Sequence, residues 1–447
     1  MPIDLILYNG KININGISTT AGIGIDEGKI VKIAKKTNLP PASEKVDVQG
    51  EFVLPGLIDV HTHLRGQRQA YEEDFYSGTA AAVAGGITLC LDMPNNEPVT
   101  MSQDSLRERM QAAASKILAN VGFYSAYPRS TNEISQIAKE GAVAFKLFLT
   151  KQIGGADIDS DNSLEEAFRQ TRQSNVPVAV HAEDKASIER TEEELKRMKK
   201  NNVTAYLEAH SPAVEEKAAN RIIQLAERTN VRIHICHVSS KLGLDAVTEG
   251  KKRGLPISCE VTPHHLLMSS NDLMHRGTIA LCDPPLRSPE NVEAMWEALK
   301  EGLIDIIASD HAPHLLDEKK AESVWEVKPG FPGLETVVPL ILTQINRGRL
   351  SIPDLVRLMA EKPAEIFHLS ERGHLETGFN ADLIIVDVHR EYRIDASKFY
   401  SKAKYSPFDG YRAKGKPVKT YVNGKLVMED GEVVAKPGSG QVIGWAR

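Results

Sequence analysis

Cysteine is scarce in this chain. The four present among 447 residues, Cys90, Cys236, Cys259 and Cys282, are too far apart for the paired spacings of a zinc-thiolate site or a disulfide framework. Cys90, Cys236 and Cys259 fall inside apolar runs, where a buried structural thiol is the expectation. Long apolar stretches are missing too, since none approaches the roughly 18 residues of a membrane span. The opening Met1 to Gly10 lacks the basic segment and apolar core of a signal peptide and reads as a strand ending in Asn9-Gly10. A cytoplasmic protein without a membrane partner is therefore expected. Nor is there an excess of positive charge: 54 Lys and Arg against 60 Asp and Glu leave a net charge of -6. With no basic block, and with Glu193 to Lys200 reading as a solvated helix face, no nucleic acid partner is expected.

What the chain does have is apolar sequence, 41% of its residues, enough for a core larger than that of one small domain. Short apolar runs alternate with amphipathic stretches of helical length from residue 52 onward. The runs are Phe52 to Val60, Ile87 to Met93, Val121 to Ala126, Val143 to Leu149, Val176 to Val180, Val231 to Cys236, Pro256 to Val261 and Ile304 to Ala308. Near-continuous apolar strands separated by helices predict a parallel sheet covered on both faces, and this number of them closes a (β/α)8 TIM-type barrel. The two ends of the chain are richer in turns, among them Asp26-Glu27-Gly28, Asn423-Gly424 and Asp430-Gly431. The expected organisation is α/β. Residues 52–369 form the barrel, while 1–51 and 370–447 together form one small β-sandwich domain beside it.

His61-Thr62-His63 ends the first of these runs. Side chains alternate along a strand, so both histidines face one way and can share a metal ion. Further candidate ligands end other runs: His181 after Val180, His237 after Cys236, and Asp310 after Ser309. All fall toward the C-terminal ends of strands, where such barrels carry their chemistry. Lys146 lies inside the apolar run Val143 to Leu149. Either it snorkels to water at the mouth of the strand, or burial keeps its amine neutral and able to react with carbon dioxide to give a carbamate.

The motifs His61-Thr62-His63-Leu64-Arg65, Met93-Pro94-Asn95, Phe145-Lys146, His181-Ala182-Glu183, Cys236-His237-Val238-Ser239, Asp310-His311-Ala312-Pro313-His314 and Gly330 to Glu335 together resemble the amidohydrolase superfamily, and within it the dihydroorotases. The resemblance covers nearly the whole chain. It implies two zinc ions, one on His61, His63 and Asp310 and the other on His181 and His237, bridged by carbamylated Lys146 and a hydroxide. It also implies that Asp310 moves the catalytic proton, and that Arg65, Asn95 and His314 bind a ring carboxylate, for which a planar guanidinium is well suited. The reaction implied is the reversible hydrolysis of L-dihydroorotate to N-carbamoyl-L-aspartate in pyrimidine synthesis. Manganese or cobalt would suit the same ligands. A homo-oligomer and association with another pyrimidine-pathway enzyme are both compatible with this assignment.

Allantoinases and the hydantoinase or dihydropyrimidinase type are the nearest alternatives, and a noncatalytic scaffold would be expected to lack at least one ligand. In some relatives an aspartate replaces the lysine, and Asp157, Asp159 and Asp161 lie in the corresponding region. The chain departs from the dihydroorotase pattern in having Gly66-Gln67-Arg68 after Arg65, and Asp283 where an asparagine is common. Asp283 is retained as a candidate substrate contact, and the segment from Gly154 to Asp161 as a candidate loop over the site. His264 and His265 are expected to serve packing, His311 to point away from the site, and His210 and His234 are given no role.

Overall fold

The computed structural model describes residues 1–14 and 17–444. Eight parallel strands hydrogen-bond in chain order. They are β1 (Leu57–Thr62), β2 (Ile87–Asp92), β3 (Asn120–Ala126), β4 (Ala144–Phe148), β5 (Val178–His181), β6 (Ile233–Ile235), β7 (Ile257–Val261) and β8 (Ile306–Ile307). The ladder closes just past β8: Thr62 bridges His311, and the His63 amide donates to the His311 carbonyl at 2.8 Å. Every residue of β1 to β5 is buried, as strands covered on both faces require. The intervening helices start at side-chain caps, Asp74 for Phe75–Ala84 and Ser240 for Lys241–Lys252 among them. Along Pro212–Thr229, Val214, Ala218, Ile222 and Leu225 recur every three or four residues and face the barrel.

A second, nine-stranded sheet joins the two ends of the chain. Its strand Ile3–Ile14 pairs with Ala42–Asp47 along its first half and with Phe52–Pro55 along its second, so one sheet folds into two layers. Leu5, Ile12, Ile23, Ile30, Val53, Leu383 and Tyr421 fill the space between them. Asn423-Gly424 and Asp430-Gly431 make hairpin turns with both residues of each pair at positive φ.

Three expectations need correction. The run Phe52 to Val60 is two strands: Phe52–Pro55 belongs to the small sheet and Leu57–Thr62 to the barrel. Gly56 lies at the crossing, where a Cβ would sit 2.2 Å from Thr88 Oγ1. Asn9-Gly10 does not end its strand. Asn9 takes φ 60° and the register shifts between Leu7 and Gly10, so the pair forms a bulge within Ile3–Ile14. Lastly, Val442–Ile443 pairs in parallel with β3 of the barrel rather than with the small sheet. No helix among the described residues is long and apolar enough to cross a membrane.

Candidate metal centre and substrate cavity

Closure of the barrel brings the loop after β8 against the end of β1. Asp310 Oδ1 lies 3.2 Å from His61 Nε2 and 3.3 Å from His63 Nε2. His181, at the end of β5, and His237, just beyond β6, meet edge to face with ring centres 4.6 Å apart, and the His237 ring is 5.2 Å from that of His61. These five side chains line one cavity of about 330 Å³ at the C-terminal face of the barrel. His237 and Asp310 adopt φ of 35° and 48°, conformations that non-glycine residues rarely hold unless the surroundings impose them.

Lys146, on β4, is buried and does not snorkel. Its Nζ donates to Cys236 Sγ at 2.9 Å and lies 4.9 Å from the centre of the Phe148 ring. Cys236 is therefore more than a packing thiol, because it touches the one lysine within the barrel strands beside His181 and His237. Of the aspartates that could have replaced this lysine, Asp159 pairs with Lys185 at 2.8 Å, Asp161 pairs with Arg221 at 2.7 Å, and Asp157 accepts from the Asp159 amide. None of the three lines the cavity. The loop that carries them is anchored where the Gly155 amide donates to the Tyr127 carbonyl at 2.7 Å.

The imidazoles of His61, His63 and His181 are each oriented by an oxygen on the far side, an arrangement typical of metal-binding histidines. Glu260 Oε1 lies 2.5 Å from His61 Nδ1, Asn95 Oδ1 lies 2.8 Å from His63 Nδ1, and Glu183 Oε2 lies 2.9 Å from His181 Nε2. His237 Nδ1 is buried with no hydrogen-bond partner among the described residues. Burial holds His63 down at about 3 and His237 well below its ordinary value, so both offer unprotonated nitrogens. His61 behaves oppositely: burial resists its charge, but Asp310 and Glu260 on either side outweigh this and push it up to about 10. Carboxylates flanking His61 thus call for a cation at that spot. The imidazole nitrogens of His61 and His63 and the Asp310 carboxylate, all within reach of one another, fit a divalent metal ion.

Sequence reasoning missed Glu260 and Asp59. Asp59 accepts from the amides of His61 and Ser309, tying β1 to the segment that carries Asp310. Both acids sit in apolar runs at inward positions, Asp59 two residues before His61, so the argument that singled out Lys146 could have found them. His234 and His210 were also undervalued. His234 Nε2 meets Glu260 at 3.0 Å, and His210 Nδ1 meets Glu183 at 3.1 Å.

The opposite wall is built by Arg65, Asn95 and His314. Arg65 Nε lies 3.2 Å from Glu72, and its Nη2 lies 3.2 Å from His314 Nε2 and 3.4 Å from the Pro313 carbonyl. Lys328 reaches the same Glu72 at 3.2 Å. Asp283 lines the cavity, but its carboxylate turns to Tyr206, whose hydroxyl donates at 2.6 Å, with His210 at 3.4 Å. His265 is satisfied by Thr262 and the Pro284 carbonyl, and His311 Nδ1 accepts from the Gly333 amide, so neither enters the cavity. His264 packs on Phe331, and burial depresses it to about 4.

The family model of the amidohydrolase family matches residues 52–427. This chain belongs to that family. Among curated members, it is similar to the dihydroorotase of Methanothermobacter thermautotrophicus, at 36% identity over 98% of this chain and 97% of the relative. Against the dihydroorotase of Pyrococcus horikoshii the identity is 37%, over 99% and 96%. It is also similar to the L-hydantoinase of Paenarthrobacter aurescens, at 34% over 98% of each chain. Among solved amidohydrolase structures, the L-hydantoinase (dihydropyrimidinase) from Arthrobacter aurescens superposes with a TM-score of 0.95, 33% identity and coverage of 99% and 100%. Family membership accounts for a metal-dependent hydrolytic centre at this face of the barrel, while the relatives divide over the ring they open.

Proposed function

We propose that this amidohydrolase is a dihydroorotase that interconverts L-dihydroorotate and N-carbamoyl-L-aspartate in cytoplasmic pyrimidine synthesis. One divalent ion, zinc by its donors, would be held by His61, His63 and Asp310, a second by His181 and His237, with Lys146 as a carbamate between them. When bound there, the metal pair supplies activation of water and polarisation of the scissile carbonyl. The residues of the chain do the rest. Asp310 sits where it can accept a proton and return it to the leaving ring nitrogen, and its carboxyl is held well below the ordinary range: burial opposes the charge, but His61 and His63 outweigh it. Arg65 and His314 orient the ring by its carboxylate.

The observation that carries the choice of ring is the buried guanidinium of Arg65 in the wall facing these imidazoles. Its five N–H donors exceed the contacts it makes with Glu72, His314 and Pro313, so it retains donors for a planar, two-pronged carboxylate contact. The likeness to L-hydantoinase favours a second reading, a hydantoinase or dihydropyrimidinase type, whose ring has no such carboxylate.

Ring opening of L-dihydroorotate, hydantoin, dihydrouracil and allantoin should be followed in parallel with zinc-loaded and metal-stripped protein. Metal-dependent preference for L-dihydroorotate is expected. Preference for hydantoin or dihydrouracil would replace this reading with the second, and inactivity on all four would reject both.

A further inference from the structure

Lys319 is completely buried, yet no carboxylate among the described residues pairs with its ammonium group. Its Nζ donates instead to three backbone carbonyls: Leu281 at 3.1 Å, Lys328 at 2.8 Å and Gly330 at 2.8 Å. A lysine taken out of water at such cost, on a four-residue turn (Leu316–Lys319), calls for an explanation. Its acceptors supply one. They lie on two separate segments that line the cavity. One runs into Asp283, and the other, 328–330, forms the wall beside Arg65 and His314.

We propose that Lys319 is a positioning residue for the anion-binding wall, clamping both segments so that His314 and Lys328 stay aligned with Arg65. The connections are direct. The Pro329 carbonyl, between two of the clamped residues, lies 3.1 Å from His314 Nε2. The Lys328 side chain meets Glu72, the acid that pairs with Arg65. The Gly330 amide donates to the Leu281 carbonyl at 2.8 Å, so the two segments also hold each other. Gly330 has φ 118°, and a Cβ there would lie 2.7 Å from the Ala312 carbonyl, so the path of this segment depends on that glycine and on its tether. Burial lowers Lys319 to about 7, the cost expected of an ammonium whose hydrogen bonds go to neutral carbonyls. Thr278 fixes the clamp from behind, its hydroxyl donating to the Lys319 carbonyl at 2.6 Å.

The inference rests on the carboxylate-binding reading of this wall. The test compares Lys319→Met, Lys319→Ala and the milder Thr278→Val with the parent protein, using L-dihydroorotate and dihydrouracil. Lys319→Met should raise KM for L-dihydroorotate about tenfold with kcat within about threefold, and leave kcat/KM for dihydrouracil within about threefold. Propylammonium should restore the KM of Lys319→Ala, whereas propanol should not. Thr278→Val should raise the same KM about threefold, which keeps the test open if a Lys319 variant fails to fold. Equal losses on both rings, no rescue by the amine, or an unchanged KM in Thr278→Val would overturn the clamp. A parent protein that does not prefer L-dihydroorotate would instead overturn the reading beneath it.

Discussion

The histidines of the metal wall stand at or next to strand ends, whereas Arg65, Asn95 and His314 stand on the loops beyond, and the two sets are braced in different ways. Glu260 and Asp59 reach out of β7 and β1 themselves, so the imidazole of His61 is fixed by atoms of the same ladder that closes the barrel. Arg65 is held by Glu72, His314 and a carbonyl from the loop after β8, and that loop is tethered in turn by the buried Lys319. Hydrolytic chemistry that a family shares is built into the strands. In the proposed reading the choice of ring rests on loops, which can change without disturbing the ladder. This difference explains how a chain similar in sequence to dihydroorotases superposes so closely on an L-hydantoinase.

Changes on the strand side should act on turnover and metal, and changes on the loop side on substrate affinity. The largest effect is expected for Asp310→Asn, which removes both a candidate ligand and the proposed proton carrier. Steady-state assays should show kcat down by roughly 10³ or more, with circular dichroism unchanged. Glu260→Gln leaves His61 in place but takes away the anion behind it. Competition with a chromogenic chelator should give a metal affinity about 10–100-fold weaker, while KM for L-dihydroorotate measured at saturating metal changes little. Asn95 serves both walls, since it orients His63 and lines the cavity beside Arg65. Asn95→Ala should therefore lower kcat and raise KM together, each by about tenfold, and a change confined to one of them would place Asn95 on a single wall. The smallest effect belongs to Asp283→Asn. Its carboxylate is occupied by Tyr206 and His210, so kcat/KM should stay within about threefold of the parent value.

The same division governs what could be read from the sequence. The barrel was legible because its strands are buried on both faces and run as unbroken apolar stretches, and His61, His63, His181, His237 and Asp310 stood out because they end such stretches. The boundary at Gly56 was not legible, because Phe52–Pro55 and Leu57–Thr62 are equally apolar and only a close backbone crossing separates them. Pairing of Val442–Ile443 with β3 involves a two-residue strand, too short to leave a pattern. Glu260 and Asp59 were legible in principle as charges inside apolar runs. Glu72 and Lys319 were not, since each sits among other charged residues in a stretch that reads as solvated loop, and only the tertiary fold buries them.

The most direct test of the account is the ratio of kcat/KM for L-dihydroorotate to that for dihydrouracil, measured for the zinc-loaded parent protein and for Arg65→Met. The account predicts a ratio well above one in the parent that falls about a hundredfold in the variant, through KM for L-dihydroorotate, with dihydrouracil hydrolysis nearly unchanged. A ratio that Arg65→Met leaves where it was would contradict the central claim that this guanidinium selects the ring.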